Sequence, residues 1–318
     1  MIKDKNGYLY PYSEQASSVR DLLVSEINSL FINVRLNTNV NCIERTEDGH
    51  FLISLEGQKE REIFDRVIIS TGGFAGLTKK ERTCGYDLLM KLGVSSSPIY
   101  PGLTKLICSG LDFEALKGNR CECKLSLFIE DEPLREDYGE LMFWEKGISG
   151  ICVFSLSRFC KKALTEGKEV VMKLDLLPLF YEDNLKDYIL PRFLVNQDKT
   201  IGEFLRGMLP KAINSDILKI NGIDENTLLN DLDISDVLNI VINMKKVYVK
   251  VTDVADFDQA QVTVGGVNLS EINDRFEVKN IPGLFVTGEA LNVDGPCGGY
   301  NLQWAFTSGA IAGENVCY

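Results

Sequence analysis

Apolar and polar positions follow several distinct rhythms along this chain. Over residues 8–30, Val19, Leu22, Leu23, Ile27 and Leu30 recur at helical spacing, which predicts an amphipathic helix. The rhythm then shortens. INVRL, VNCIERT and FLISLE are rich in β-branched residues, with EDGH as a hairpin turn between the last two. REIFDRVIISTGG reads as a buried strand that ends at Gly72 and Gly73. From Ser95 to about Pro178, short strands (LTKLICS, CKLSLFIE, GELMFW, EVVMKLDL) surround one helical stretch near residues 149–165, the pattern of a small β-barrel insertion. Residues 182–243 are mostly helical and polar, and NDLDISDVLNIVINM is the clearest helix. KKVYVKVTDV and QAQVTVGGVNL return to strands. A final strand, GLFVTG, leads into a helix that begins near Asn301. The α/β part that opens the chain is therefore expected to resume at its end.

Bulk properties narrow the function more than the fold. A length of 318 residues suits two or three domains. The formal charge of -12 repels phosphate backbones and anionic membranes, so nucleic acid is not expected as a partner. No apolar run approaches a membrane span, and the N-terminus has no signal-peptide core. Nine scattered cysteines without a framework read as reduced thiols, hence a cytoplasmic protein. The one histidine, His50, leaves histidine triads and histidine-rich metal sites almost nothing to work with, and no metal site is expected.

The chemistry concentrates in the last strand–turn–helix, GLFVTGEALNVDGPCGGYNLQWAFTSGAIAG. The first N–H groups of a helix lack intrahelical partners, and the macrodipole adds partial positive charge there. Glycines let a ligand approach the backbone closely. Such a site favours an anion, whether a phosphate or the N1–C2=O edge of a reduced flavin. Glu289 suits a sugar hydroxyl better than a phosphate, because a carboxylate only accepts hydrogen bonds. Glycines that serve only a tight connection explain the stretch equally well. For VIISTGG alone, a plain parallel strand with a turn is the better reading.

Taken together, NGYLYP…SSV, VIISTGG, GELMFWEKGISG, AQVTVGGVNL and the C-terminal stretch resemble a family of bacterial FAD-dependent flavoproteins. That family includes aminoacetone oxidase and the reductase of 3-dehydro-bile acids, and the resemblance runs along nearly the whole chain. It implies an α/β fold: a two-dinucleotide-binding FAD domain with an inserted β-barrel and a small helical insertion. The FAD domain would comprise residues 1–95 and 265–318, the barrel 96–181 and 244–264, and the helical insertion 182–243. It also implies cofactor contacts. Gly288 and Glu289 would lie along the ribityl and pyrophosphate, with Asp294 and Gly295 in the same loop. Gly298, Gly299, Tyr300, Asn301, Leu302 and Gln303 would face the isoalloxazine. Thr71, Gly72 and Gly73 would line the adenine side, and Val40 would meet adenine through its backbone. The implied activity is oxidoreduction of a small organic substrate, with oxygen or NAD(P)H as the second partner of the flavin.

The chain departs from the family in three places. No G-x-G-x-x-G follows an early strand, and seven residues precede Tyr8, so the FAD domain is expected to be N-terminally truncated, without the first βαβ unit. Such a chain would expose an open sheet edge and an apolar face, inviting self-association or a partner chain. It would then be an active flavoenzyme, a non-catalytic remnant, or one half of a split flavoprotein. Trp144 and Glu145 stand where the family has threonine–histidine, and Cys84 replaces an acidic residue in RTCGYD. The catalytic acid or base is left open. Glu145 is nominated by its motif alone, an exposed carboxylate being its plainer role. Cys297 could be redox-active beside the proposed flavin edge, though a small turn residue is the plainer reading, and Trp304 and Phe306 could stack on a flavin, with core packing the plainer role.

Overall fold

A computed structural model describes residues 2–3, 7–79, 81–82 and 85–317; Cys84 lies outside them. The chain divides into two compact units, one of residues 1–72, 84–97 and 267–318, the other of residues 73–83 and 98–266.

The first unit holds a minimal hairpin, β1 (Ile2–Lys3) with β2 (Leu9–Tyr10), then helix α1 (Ala16–Ser29). Strands β3 (Val40–Arg45), β4 (Phe51–Leu55) and β5 (Arg61–Phe64) form an antiparallel sheet. The β3–β4 hairpin closes where the Thr46 N–H donates to the His50 carbonyl, with Gly49 at a φ of 92°. Strand β6 (Val67–Ile69) is followed by α2 (Gly85–Lys91), and β6 pairs in parallel with β15 (Leu284–Val286). Helix α9 (Tyr300–Asn315) ends the unit. Its core gathers Ile43, Phe51, Val67, Ile69, Leu89, Leu284, Val286 and Leu291.

Two elements differ from the sequence expectation. Helix α1 forms where its periodicity predicts, yet none of its residues is buried, and Leu22 is 69% exposed. INVRL is irregular rather than a strand. Ile32, Val34 and Leu36 are exposed, and the segment has no ladder partner among the described residues. β-branched residues favour a strand only when a neighbouring strand pairs with them.

The second unit carries β7 (Ser96–Gly102), β8 (Leu106–Ser109), α3 (Phe113–Leu116), β9 (Arg120–Ile129), β10 (Glu132–Trp144) and β11 (Gly147–Ser149). It continues through α4 (Ile151–Thr165), β12 (Val170–Asp175), α5 (Glu182–Leu194), α6 (Ile201–Phe204), α7 (Lys211–Ile220), α8 (Ile234–Asn243), β13 (Val247–Val254) and β14 (Val262–Val267). Six strands close a barrel in the order β10-β11-β8-β13-β12-β9, and β7 pairs with β14. Alternation puts Leu125, Leu127, Met172, Leu174, Val249 and Val251 inside, packed in one core with Cys152, Val153 and Leu156 of α4. Gly150 turns β11 into α4 at a φ of 115°, where a Cβ would lie 2.1 Å from the Glu140 carbonyl oxygen. Only glycine fits there. The polar helices α5, α7 and α8 extend the same core through Ile189, Ile217 and Val241. They are tied to the barrel where buried Lys245 bonds both carboxylate oxygens of Asp175, at 3.0 and 2.7 Å, and the Leu177 carbonyl at 2.7 Å. No helix among the described residues is long and apolar enough to cross a membrane.

Candidate functional site

The site grows from the carboxyl ends of β6 and β15. Because the two strands are parallel and in register, Ile69 opposite Val286, they end at the same level. The Thr287 N–H donates to the Ile69 carbonyl at 3.0 Å, and the Ser70 and Thr287 hydroxyls are 2.8 Å apart. Gly72 then turns at a φ of 67° and Gly288 at a φ of 65°. Two left-handed glycine turns therefore follow neighbouring parallel strands, the position at which open α/β sheets hold ligands. Gly73 follows Gly72 directly and falls in the other unit. Thr71 packs on Gly85, where an added Cβ would meet the Thr71 Oγ1 at 2.3 Å.

Helix α9 fixes the Gly288 turn. The Gly288 N–H donates to the buried Ser308 Oγ at 2.9 Å, and Trp304 Nε1 donates to the Gly288 carbonyl at 3.0 Å. Trp304 is itself held edge-on to Phe276 at 5.5 Å. Tyr86, buried on α2, donates its hydroxyl to the Glu289 carbonyl at 3.2 Å, leaving the half-buried Glu289 carboxylate uninvolved in that bond.

Between β15 and α9 the loop is knotted onto the helix mouth. The Gly295 N–H donates to Asn301 Oδ1 at 2.8 Å, and Asn301 Nδ2 donates to the Gly295 carbonyl at 3.0 Å. The Asn301 side chain is thus committed to the loop, and its contribution to a ligand would come from the backbone. Gly298 and Gly299 have φ of 121° and 86°, and Gly299 is the N-cap of α9. A methyl added at Gly72 or Gly299 meets nothing within 4 Å, so both backbones face open space. Leu302 is exposed, and Gln303 donates to Thr307 at 3.0 Å while its N–H closes the first helical bond to Gly299. Asp294 lies in the same loop, and Tyr300 stacks edge-on against Tyr8. From Leu284 to Gln303 there is no lysine or arginine. Open left-handed turns and helix-mouth amides without a side-chain cation fit the uncharged or singly charged half of a flavin cofactor. They do not by themselves neutralise a pyrophosphate.

Val40 stands apart from these turns. It begins β3, opposite Leu55, in the antiparallel sheet rather than the parallel pair. Cys297 is half-buried on the loop. Trp304 works as a hydrogen-bonding anchor, while Phe306 is half exposed rather than core. Sequence reasoning missed Ser308, Tyr86 and Tyr8. Ser308 four residues after Trp304, in a stretch of small residues, was the available signal.

In the second unit, Glu145 sits at the β10–β11 turn, its carboxylate 2.6 Å from the Lys117 ammonium. That hydrogen bond holds Glu145 below the usual carboxylate range, which disfavours it as a proton donor. Trp144 donates to the Leu106 carbonyl at 3.1 Å and lies under the Lys105 ammonium.

The HI0933-like protein Rossmann domain model matches residues 1–315. The chain belongs to this family. It is similar to a 3-dehydro-bile acid delta(4,6)-reductase of Clostridium scindens, at 35% identity over 98% of this chain and 76% of that protein. It is also similar to ribosomal RNA dihydrouridine synthases of Escherichia coli (24% identity, 95% of this chain, 72% of that protein) and Haemophilus influenzae (26%, 93% and 71%). Membership makes the chain an enzyme, a flavin-dependent oxidoreductase with a Rossmann-like domain in a mixed α/β fold.

Proposed function

We propose that the chain is an FAD-dependent oxidoreductase that moves a hydride or electron pair between a small organic substrate and the flavin. Oxygen or a nicotinamide serves as the flavin's second partner. The observation that carries this is the pair of left-handed glycine turns at the level ends of β6 and β15. Bound FAD would supply the redox chemistry. Gly298, Gly299, Tyr300, Asn301, Leu302 and Gln303 present helix-mouth amides to the isoalloxazine, where partial positive charge stabilises developing anionic character. Gly288 and Glu289, with Asp294 and Gly295, run along the ribityl and toward the pyrophosphate. Thr71, Gly72 and Gly73 take the adenine side, with Val40 meeting adenine through its backbone. In this reading residues 1–95 and 265–318 form the FAD domain, 96–181 with 244–264 the barrel insertion, and 182–243 the helical insertion.

The relatives' printed names divide between a bile-acid derivative and ribosomal RNA. A net charge of -12 favours the small molecule, since an RNA substrate needs cations to displace its counterions. The cysteine pattern favours the cytoplasm. Titration of the purified chain with FAD, followed by gel filtration and a visible spectrum, tests the reading. Near-stoichiometric flavin supports it, and a colourless protein sinks it for the chain by itself.

A second reading is favoured by the exposure of α1 and of the segment that follows it. Leu22, Phe31 and Leu36 are 69%, 93% and 79% exposed, and Ile68 of β6 is 39% exposed. Parallel sheets are normally covered on both faces. The chain would then be a non-catalytic remnant, or one half of a split flavoprotein whose site is completed by a strand, glycine loop and helix supplied by a partner. A colourless chain that turns yellow only when such a segment is added decides for the split protein.

A further inference from the structure

The NGYLYP motif, which the reading above leaves without a task, reaches the helix mouth through one side chain. We propose that Tyr8 is a positioning residue: its ring wedges the Gly298–Gly299 turn into the shape that presents the α9 mouth to the flavin. The proposal rests on the flavin reading of that turn.

A Cβ at Gly298 would lie 2.6 Å from Tyr8 Oη, 2.9 Å from its Cζ and 3.0 Å from its Cε1. The phenol edge therefore occupies the space that any other residue's side chain would need. The half-buried Tyr8 ring also meets Tyr300 edge-on, at 6.4 Å and 89°. Tyr300 is packed in turn on Gly295, where an added Cβ would be 2.8 Å from the Tyr300 Cβ. Asn301 then clasps Gly295 from the helix side through its two hydrogen bonds. The loop is thus held by Tyr8, Tyr300 and Asn301, and Tyr8 bears on Gly298, the first of the two consecutive residues with positive φ.

The need for a wedge follows from glycine chemistry. Two adjacent glycines visit many backbone basins and lose more entropy on ordering than any other pair. Amides of a helix mouth bind a ligand well only if they are already aimed at it. The Tyr8 edge removes the basins in which Gly298 would swing toward it, and this leaves Gly299, whose outer side is open, facing the ligand. Tyr12 of the same segment is 86% exposed and serves as a control position.

The test uses the whole chain with Tyr8→Ala, Tyr8→Leu, Tyr8→Phe and Tyr12→Ala, each checked for folding by far-ultraviolet circular dichroism. Hydrogen exchange without flavin reads the Gly295 and Gln303 amides, which are bonded to Asn301 Oδ1 and the Gly299 carbonyl. An FAD titration followed by absorbance and flavin fluorescence reads the consequence. Tyr8→Ala and Tyr8→Leu should speed exchange at both amides by about tenfold, with barrel amides unchanged, and weaken FAD binding by a similar factor. Tyr8→Phe should lie between them and the parent chain, and Tyr12→Ala should match the parent. Unchanged exchange in Tyr8→Ala and Tyr8→Leu overturns the wedge. Faster exchange with unaltered FAD affinity overturns the positioning role. Faster exchange in the Tyr8 variants, with a parent chain that takes up no FAD, refutes the flavin reading, and the role toward flavin falls with it.

Discussion

Ser308→Ala tests whether α9 truly holds the glycine turn. Ser308 is fully buried; its Oγ accepts the Gly288 N–H at 2.9 Å and donates to the Trp304 carbonyl at 2.8 Å. Alanine removes one oxygen and leaves the packing in place. The Trp304 carbonyl already sits in a helix and loses little. The buried Gly288 amide loses its acceptor, at a cost of about 1–3 kcal/mol. Against this, alanine is the better helix former by about 0.5 kcal/mol. The desolvated amide wins, for a net loss of about 0.5–2.5 kcal/mol, or about 2- to 70-fold in the local unfolding constant. The chain has two tryptophans, Trp144 and Trp304. In a Trp144→Phe background, Trp304 emission therefore reports the first unit directly. With a urea slope of about 2 kcal/mol/M, the midpoint should fall by about 0.3–1.2 M. An unchanged midpoint at unchanged slope would refute the view that the Gly288 amide depends on Ser308.

Other outcomes follow from the second unit. Lys245→Met should destabilise it by about 3–5 kcal/mol by stranding the Asp175 carboxylate, and a Lys245→Met, Asp175→Leu pair should recover much of the loss in a urea assay read by Trp144 emission in a Trp304→Phe background. Asp216 on α7 is 8% exposed, and burial raises its carboxyl above the usual carboxylate range, opposed by a backbone hydrogen bond from Asp112 and by Lys219, with the Asp112 charge adding repulsion. The folded chain therefore holds that proton more tightly than the unfolded chain. The carboxylate costs stability above the raised value, and the cost fades as pH falls toward the ordinary 3.8. Asp216→Asn should accordingly raise the urea midpoint at pH 7.5, the gain shrinking on acidification; a pH-independent difference would contradict this. Burial pushes Cys108, Cys121 and Cys152 up to about 12 and raises Cys123 and Cys160 strongly too. Brief alkylation of the native chain at pH 8, read by mass spectrometry, should label exposed Cys317 and spare these five.

Most local elements were legible because their patterns carry their own partners. The EDGH hairpin, the α4 stretch, the amphipathic α8 and the alternation in β12 and β13 each match a period to an apolar face that finds a core. INVRL failed for the converse reason: strand composition without a neighbouring strand gives only exposed backbone. At the site, the glycines announced a turn, since little else fits a positive φ. The anchors of that turn were hidden, because Ser308, Tyr86 and Tyr8 act across 20, 203 and 290 residues of sequence, respectively. Nothing in a linear pattern marks a serine as the acceptor of one distant amide. Asn301 is a polar residue whose side chain the loop engages, so any contribution to a ligand comes from its backbone.

Charge limits what the helix mouth can hold. The macrodipole places about half a positive charge at the start of α9. That suits the pyrimidine edge of an isoalloxazine, which gains at most one negative charge on reduction. The pyrophosphate of the proposed FAD is doubly charged, and the stretch from Leu284 to Gln303 supplies no lysine or arginine. Half a positive charge does not neutralise two negative ones. If the cofactor is FAD, as proposed, its pyrophosphate would need groups beyond this loop. The two readings of function separate at this point: flavin uptake by the chain alone requires that groups already present do this work, whereas uptake only on addition of a strand, glycine loop and helix assigns it to them.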